Sequence, residues 1–479
     1  MITVQIAGAG AGKTFGLASK IADRIAVAPS TKSIYALTYT NSAKNKIKIE
    51  LVKNSDCLHV NVDTVHSFLL KEIIFPYASY VLGEKYSSVS LETLPSNNQM
   101  YKNARLKDLK SKGIIHVDNV YMVAKQILDK NNHKNNNLYK KSKVDYICNI
   151  ISQMTCSIFI DEVQDLDQDC LRVFHILGGY GVYIYMVGDP KQAIKYPDSF
   201  NDYISEHAKG NGDVIFEPVN NITRRVPSSL LEISNVFCYT GQEQTNYDGR
   251  IGCVKYLYND TPNYDIMLQQ ALLNGKLVII NQKNDYYHTK NGKEHHFPKK
   301  LARILENSPS VDGRDLGLYI NSLYLDLMEQ LNYFPENPSK SAANYVIRKH
   351  DLSGLLRKNN AFGIFYEFAS QCSQEKSTNA TVVKSIESVK GLDSDVVFFI
   401  LTESFINYLN HTNIPVESPF NKEWKKLYVA LTRSSDKFVF VLDKRMVGEE
   451  GLKKAVSYLQ FKEIALIDDA AECLDWFKK

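Results

Sequence analysis

Along the chain, short apolar runs alternate with longer stretches in which apolar residues recur every three or four positions. Residues 2–6, 33–38, 60–62, 157–160 and 182–187 are runs of β-branched, aliphatic and aromatic side chains. Runs of this length between polar segments predict strands covered on both faces, as in a parallel sheet. Residues 13–25 and 43–52 have helical character, the second with Lys on one face. The alternation predicts an α/β architecture. Core-like strands resume at 380–383, 396–401 and 438–442.

Two stretches break this texture. Residues 76–144 are rich in Lys and Asn and end in the polar run 130–143, which predicts a helical insertion with an exposed loop. The run is taken as a solvated loop, with phosphate binding as the alternative. Residues 289–375 form a second such stretch, with turn-rich borders at 291–293 and 335–341.

The chain has 479 residues, a length prior of about three domains. Hydrophobic residues make up 44% and charged residues 23%, enough apolar surface for a sizeable core and too little charge for wholesale disorder. A net charge of +4 is too mild to demonstrate a nucleic-acid partner or a membrane-surface protein. Eight Cys are scattered without a CxxC pair, which gives no support to a disulfide framework, zinc ribbon or iron–sulfur cluster. The greasiest stretch, 396–401, is far shorter than the ~18 residues of a spanning helix. The expectation is a reduced, cytoplasmic chain with no membrane partner.

Residues 7–14 are Ala-Gly-Ala-Gly-Ala-Gly-Lys-Thr, between an expected strand and an expected helix. A strict P-loop has Gly where Ala7 stands. Ala9, Gly10 and Gly12 nonetheless let backbone N–H groups close on phosphates, aided by the positive end of the helix. Lys13 would reach the β- and γ-phosphates of ATP, and the Thr14 hydroxyl would hold Mg²⁺. Residues 157–165, Ser-Ile-Phe-Ile-Asp-Glu-Val-Gln-Asp, put two carboxylates directly after an apolar strand. Asp161 would hold Mg²⁺ through water, and Glu162 would act as general base on the attacking water. Each motif has a bland alternative, a flexible turn or an acidic helix cap, and finding them together argues against both.

Together AGAGAGKT and DEVQD closely resemble the UvrD/Rep/RecB group of superfamily 1 helicases. Further segments fall in that family's order. Residues 37–43 resemble LTFTNKAA, which implies that Thr40 and Asn41 touch single-stranded DNA. Residues 63–68 resemble TFHxF, which implies a DNA contact for His66. Residues 187–194 are near VGDPKQAIY, which makes Gln192 the γ-phosphate sensor. Residues 223–227, followed by Asn235, resemble NYRS…N, with Arg225 as a phosphate-contacting arginine. Residues 385–393 resemble TxHxxKGLE, which implies nucleotide contacts at Gly391 and Asp393. Residues 428–433 resemble YVALTR, whose arginine, here Arg433, is the second finger.

The resemblance implies an α/β fold of two RecA-like P-loop domains with parallel sheets, each carrying a small mostly helical insertion. The first core would comprise 1–75 and 145–215, interrupted by the helical insertion 76–144. The second would comprise 216–288 and 376–479, interrupted by a reduced accessory insertion, 289–375. ATP would lie between them, with Arg225 and Arg433 arriving from the second when the cleft closes. The compact size resembles the helicase subunit of Gabija-type antiphage systems, which partners an OLD-family nuclease.

Several positions depart from the family. Its adenine-reading Gln, upstream of the P-loop, has no counterpart in the six residues before Ala7. The adenine-stacking Tyr of NYRS is Arg224, whose flat guanidinium also stacks on a base. The base-stacking aromatic after Gln192 is Pro197, with Tyr196 and Phe200 as candidate substitutes. The His of TxHxxKGLE is Glu387. Trp424 is read as core packing. Lys390 is either a phosphate contact or a surface lysine, and His295-His296 is read as solvated loop.

Two functions follow: an ATP-driven motor moving 3′ to 5′ on single-stranded or tailed DNA, or a DNA-stimulated ATPase switch that regulates a partner nuclease without unwinding. A third, bland alternative is a degenerate ATPase kept as a scaffold.

Overall fold

The computed structural model describes residues 1–479 except 28–30, 54–58, 93, 95–98, 133–136, 210–211, 282–285, 290–296, 307–315, 334–337, 378–380, 411–421 and 478–479. His295-His296 and parts of both polar loops therefore lie outside the described residues. The chain divides into two compact units, Met1–Asn281 with Val389–Lys479, and Gln282–Ser388.

The first unit opens with β1 (Ile2–Ile6), α1 (Lys13–Val27), β2 (Ser33–Thr38), α2 (Asn41–Val52), β3 (Val60–Thr64) and α3 (Val65–Phe68). A mostly helical segment follows: α4 (Phe75–Leu82), β4 (Ser88–Ser90), α5 (Gln99–Ser111), β5 (Ile114–His116), α6 (Val120–Leu128) and α7 (Leu138–Met154). Then come β6 (Thr155–Ile160), α8 (Gln168–Gly179), β7 (Tyr183–Gly188), α9 (Ser199–Ala208) and β8 (Val214–Phe216). The order β3-β2-β6-β7-β1-β8 makes one parallel sheet. Every residue of β6 is buried, which explains its unbroken apolar run. Helix α8 covers the sheet with Leu171, Val173, Phe174 and Leu177, and Asp167 caps its start by accepting from the Cys170 amide at 2.8 Å. Burying a side chain such as Phe174 contributes roughly 1.5–3 kcal/mol.

The chain continues through β9 (Ile222–Thr223), α10 (Ser228–Ser234), β10 (Thr245–Asn246), β11 (Cys253–Tyr258), α11 (Tyr264–Leu273) and β12 (Leu277–Ile280). The second unit holds β13 (Tyr287–Thr289), α12 (Lys299–Glu306), α13 (Leu316–Tyr333), α14 (Pro338–Lys349), α15 (Ser353–Lys358), α16 (Phe362–Ser377) and β14 (Thr381–Ser385). Strands β13 and β14 pair in parallel. Its helices close on a core that includes Leu323, Leu327, Val346, Leu356 and Phe365.

The first unit then resumes with β15 (Ser394–Ile400), α17 (Glu403–Asn410), α18 (Lys422–Leu431), β16 (Ser434–Leu442), α19 (Lys444–Phe461) and β17 (Ala465–Leu466). Strands β12-β15-β16-β11-β17 form its second parallel sheet. The architecture is therefore α/β with two parallel sheets. In the first sheet the P-loop, Thr40, Asp161 and Asp189 all follow the carboxyl ends of strands, where open α/β sheets bind ligands. Among the described residues no helix is long and apolar enough to cross a membrane.

Candidate nucleotide site and nucleic-acid face

The loop from Ala7 to Gly12 is fixed by its main chain. The Ala7 amide donates to Gly188 O at 2.9 Å, Gly8 donates to Asn220 O at 3.0 Å, and Gly10 O accepts from the Arg224 amide at 3.0 Å. Gly10 and Gly12 have φ of 71° and 74°, which only glycine adopts without strain. A Cβ on Gly10 would also lie 2.6 Å from both Arg225 Cβ and Thr223 Oγ1. Ala9 is buried behind the loop. Lys13 Nζ lies 3.5 Å from Ala7 O and 3.3 Å from Gly8 O, folded over the loop that precedes it. Thr14 Oγ1 donates to Asp161 Oδ2 at 2.8 Å, so the two expected metal-holding groups are adjacent.

Glu162 follows in the left-handed region, with φ 56° and ψ 42°. For a non-glycine residue this conformation costs on the order of 1–2 kcal/mol, and such strain concentrates at functional sites. Gln164 Nε2 donates to Glu162 Oε2, fixing the side chain. Burial, then the neighbouring Glu162, raises the Asp161 carboxyl above the usual carboxylate range. Burial pushes Glu162 up too, but Lys13, followed by Lys390, outweighs it and holds Glu162 below its usual value. The environments thus separate two adjacent carboxylates: Glu162 is held ionised, while burial and the Glu162 charge hold Asp161 high, a penalty that a dication beside Thr14 would relieve by favouring the ionised carboxylate.

After β7, Asp189 accepts from Gln192 Nε2 at 2.8 Å and from Lys191 Nζ at 3.0 Å. Gln192 Oε1 then accepts from Arg433 Nη2 at 3.2 Å. Arg433, 1% exposed between α18 and β16, also donates to Val429 O at 2.9 Å and Leu392 O at 3.1 Å. Burial, then the repulsion of Arg225, pushes Arg433 down to about 9. Arg225 pairs with Asp393 at 3.6 Å, and Gly391 O accepts from Lys46 Nζ at 2.8 Å. Lys390 is no free surface lysine: its ammonium donates to Asp165 and to Gln192 O. Arg433, Gln192, the loop carrying Lys13 and the carboxylates of Asp161 and Glu162 thus meet around one buried centre.

Beside it a cavity of about 280 Å³ is lined by Ala11, Gly12, Phe15, Ile222, Arg224 and Tyr247, among others. The Arg224 guanidinium lies 4.9 Å from the Tyr247 ring centroid. Flat cationic and aromatic faces next to a phosphate loop suit a nucleobase. The donor set also fits a magnesium–nucleotide complex. The Thr14 hydroxyl and the buried Asp161 carboxyl, which would ligate in its ionised form, converge as the oxygen donors a hard dication takes, and Lys13, Arg225 and Arg433 would balance phosphate charge. Tyr247 was not picked out from the sequence, where it is one tyrosine in a polar loop.

The expected DNA contacts occupy another edge of the first sheet. Thr40 caps α2, its Oγ1 accepting from the Ala43 amide at 3.2 Å, and Asn41 begins that helix; both are exposed. His66 stands 3.3 Å from Tyr121 OH and edge-on to Tyr39. Burial, then Lys195, pushes His66 down to about 4. The Lys195 ammonium lies 4.7 Å from the Tyr39 ring centroid and 5.0 Å from that of Tyr196. Tyr196 is half-buried within this cluster, whereas Phe200 is fully buried in the core and cannot offer a face to a base. Pro197 O accepts from Lys425 Nζ. Trp424 is buried edge-on to Phe237 and Tyr239, as core packing requires. Glu387, in the second unit, is exposed. Among the described residues no group of three His, Cys, Asp or Glu is arranged to hold a metal.

Fold and site together resemble the UvrD/Rep/RecB helicase type: a P-loop and carboxylate pair on one parallel sheet, met by an arginine from a second. Residues 1–197 match the family described as AAA domain. Over nearly its whole length the chain is similar to Gabija protein GajB of Bacillus cereus (strain VD045), with 24% identity over 503 residues, covering 92% of this chain and 93% of that protein.

Proposed function

We propose that the chain hydrolyses ATP between its two sheets and uses the cycle to move along single-stranded DNA, 3′ to 5′. The observation that carries this reading is the Arg433–Gln192 contact at 3.2 Å, which joins the second sheet to the phosphate side of the first. Lys13 and the loop amides would bind the phosphates, while Thr14 and the ionised Asp161 would hold Mg²⁺, which would supply charge neutralisation at the phosphate oxygens. Glu162, kept ionised by Lys13, takes the proton of the attacking water. Arg433 and Arg225 stabilise charge on the transferring group, a contribution worth several orders of magnitude in rate. Arg224, Tyr247 and Phe15 receive the base, and Gly391 and Asp393 approach the same nucleotide.

Thr40, Asn41, His66 and the Tyr39–Lys195–Tyr196 cluster form the DNA side. Aromatic faces interleaved with a cation suit single strands, each stacked base contributing ~1–3 kcal/mol. By similarity to GajB, we infer a place in a Gabija-type antiphage assembly with an OLD-family nuclease partner.

A second reading, a DNA-stimulated ATPase switch acting on that partner without unwinding, is favoured by Pro197 being pinned by Lys425 and by the burial of Phe200. Strand separation on 3′-tailed, 5′-tailed and blunt duplexes decides between them. The motor requires ATP-dependent unwinding of the 3′-tailed substrate. ATPase activity without unwinding at any polarity leaves the switch.

A further inference from the structure

Gln244 belongs to none of the motifs, yet it touches the phosphate loop and the arginine-bearing helix at once. Its Nε2 donates to Ala9 O at 2.9 Å, across 235 residues of sequence. Its Oε1 accepts from Tyr428 OH at 2.7 Å, across 184 residues. Gln244 is 2% exposed and Tyr428 is fully buried. The amide can face only one way, because Ala9 presents a carbonyl and needs a donor. The approach depends on Gly8, where a Cβ would fall 2.3 Å from Gln244 Nε2. Asn235 holds the Gln244 main chain from both sides, accepting from its amide at 2.8 Å and donating to its carbonyl at 2.9 Å.

Tyr428 carries the contact onward. Its hydroxyl also lies 3.3 Å from Asp189 Oδ2, the oxygen that accepts from Gln192 Nε2. One hydroxyl proton faces two acceptors, and the shorter bond goes to Gln244. Tyr428 sits in α18, whose C-terminal end leads directly into Arg433. A buried chain of bonds therefore runs from the loop carrying Lys13 through Gln244 to Tyr428, whose hydroxyl abuts a second chain, Asp189 to Gln192 to Arg433, and whose helix leads to the same Arg433. Buried polar networks of this kind act as a unit, because breaking one link leaves the next group unsatisfied.

We propose that Gln244 is a positioning residue that ties the phosphate loop to α18 through Tyr428, so that Lys13 and Arg433 hold a fixed register around the nucleotide. The proposal rests on the nucleotide-site reading above. It assigns Gln244 no contact with the reacting atoms; its action is through Ala9 and Tyr428.

The test is a two-residue cycle, Gln244→Met, Tyr428→Phe and the double variant, with two readouts. The first is amide hydrogen exchange in the nucleotide-free chain. Gln244→Met, which leaves the Tyr428 hydroxyl and its own contact with the Ala9 main chain in place, should raise exchange across residues 7–12 several-fold, and Tyr428→Phe should do the same. The double variant should exceed the larger single effect by no more than about twofold, the signature of one shared interaction. The second readout is steady-state turnover beside equilibrium nucleotide binding. The kcat should fall about tenfold or more in each single variant while Kd moves less than about threefold, since misplacing a positioned group by ~1 Å costs on that scale. Equal losses in kcat and affinity, additive effects, or an unchanged loop in either single variant would overturn the proposal. Should Gln244→Met fail to fold, Gln244→Asn, which keeps the amide but shortens its reach to Ala9 O and Tyr428 OH, takes its place. A wild-type chain that binds nucleotide without turning it over would sink the hydrolysis reading, and the exchange experiment would still decide the link.

Discussion

Lys390 offers a demanding test of how the two sheets are joined. Its ammonium lies between the Asp165 carboxylate and Gln192 O, 2.8 Å from the latter. The Lys390 and Asp165 side chains are only 15% and 10% exposed. Removing one partner of a buried pair costs about 3–5 kcal/mol, because the other charge is left stranded. Residual exposure puts Lys390→Met near the lower end, about 3 kcal/mol, and Met keeps the apolar stem in place. Burial already raises the Asp165 carboxyl despite Lys390. Without the ammonium it rises further, so the folded state holds a proton that the unfolded state releases. Stability of the variant is then relatively preserved at low pH and lost as pH rises through that elevated value. With one kcal/mol worth ~1–2 °C in a unit somewhat larger than the usual calibration set, we expect Tm to fall about 3–6 °C near neutral pH. The deficit should shrink towards pH 5 (roughly one unit above a free Asp). Asp165→Asn in the Lys390→Met background should recover most of the loss, since both members of the pair are then neutral. Differential scanning fluorimetry across pH reads all of this. A deficit indifferent to pH, or no recovery in the double variant, would refute the reasoning.

Three further outcomes follow from the same geometry. Glu162→Gln should abolish turnover and lower Tm by about 1–2 °C near neutral pH, because Lys13 and then Lys390 outweigh burial and hold the Glu162 carboxylate below its usual value, so its charge stabilises the fold; a raised Tm would contradict the paired-carboxylate account. Asp161→Asn should stabilise the chain most at alkaline pH and lose that advantage below about pH 4, where the native carboxyl is protonated in both states. Urea midpoints across pH check the sign. Lys195→Ala with Tyr39→Ala should weaken single-stranded DNA binding by about 1–3 kcal/mol in fluorescence anisotropy while leaving nucleotide affinity unchanged. An unaltered DNA isotherm would remove the cluster from the DNA face.

What could be read in the sequence was whatever is contiguous. The run 157–160 followed by Asp161 and Glu162 declares a buried strand and the carboxylates at its end, because β6 is covered on both faces. The P-loop is equally local. Strands β4 and β5 gave no signal, being three residues each and partly exposed. Strand β12, four buried residues, is too short to distinguish from a helix by period. Gln244, Tyr247 and the Lys390–Asp165 pair stayed hidden for another reason. Each joins a loop or a distant element, at separations of 225 residues for the last, and nothing in the local pattern reveals which buried polar group meets which. Arg433 and Gln192 were picked out only through the family resemblance; their contact needed the fold. Phe200 marks the limit of that resemblance, since burial removes it from the DNA face.

The central claim is that one buried centre hydrolyses ATP under the control of a bound strand. Phosphate release by the purified chain, with and without single-stranded DNA, beside Lys13→Ala and Glu162→Gln, tests it most directly. The account predicts turnover that DNA strongly stimulates and that both variants lose. Turnover indifferent to DNA, or surviving in either variant, would contradict it.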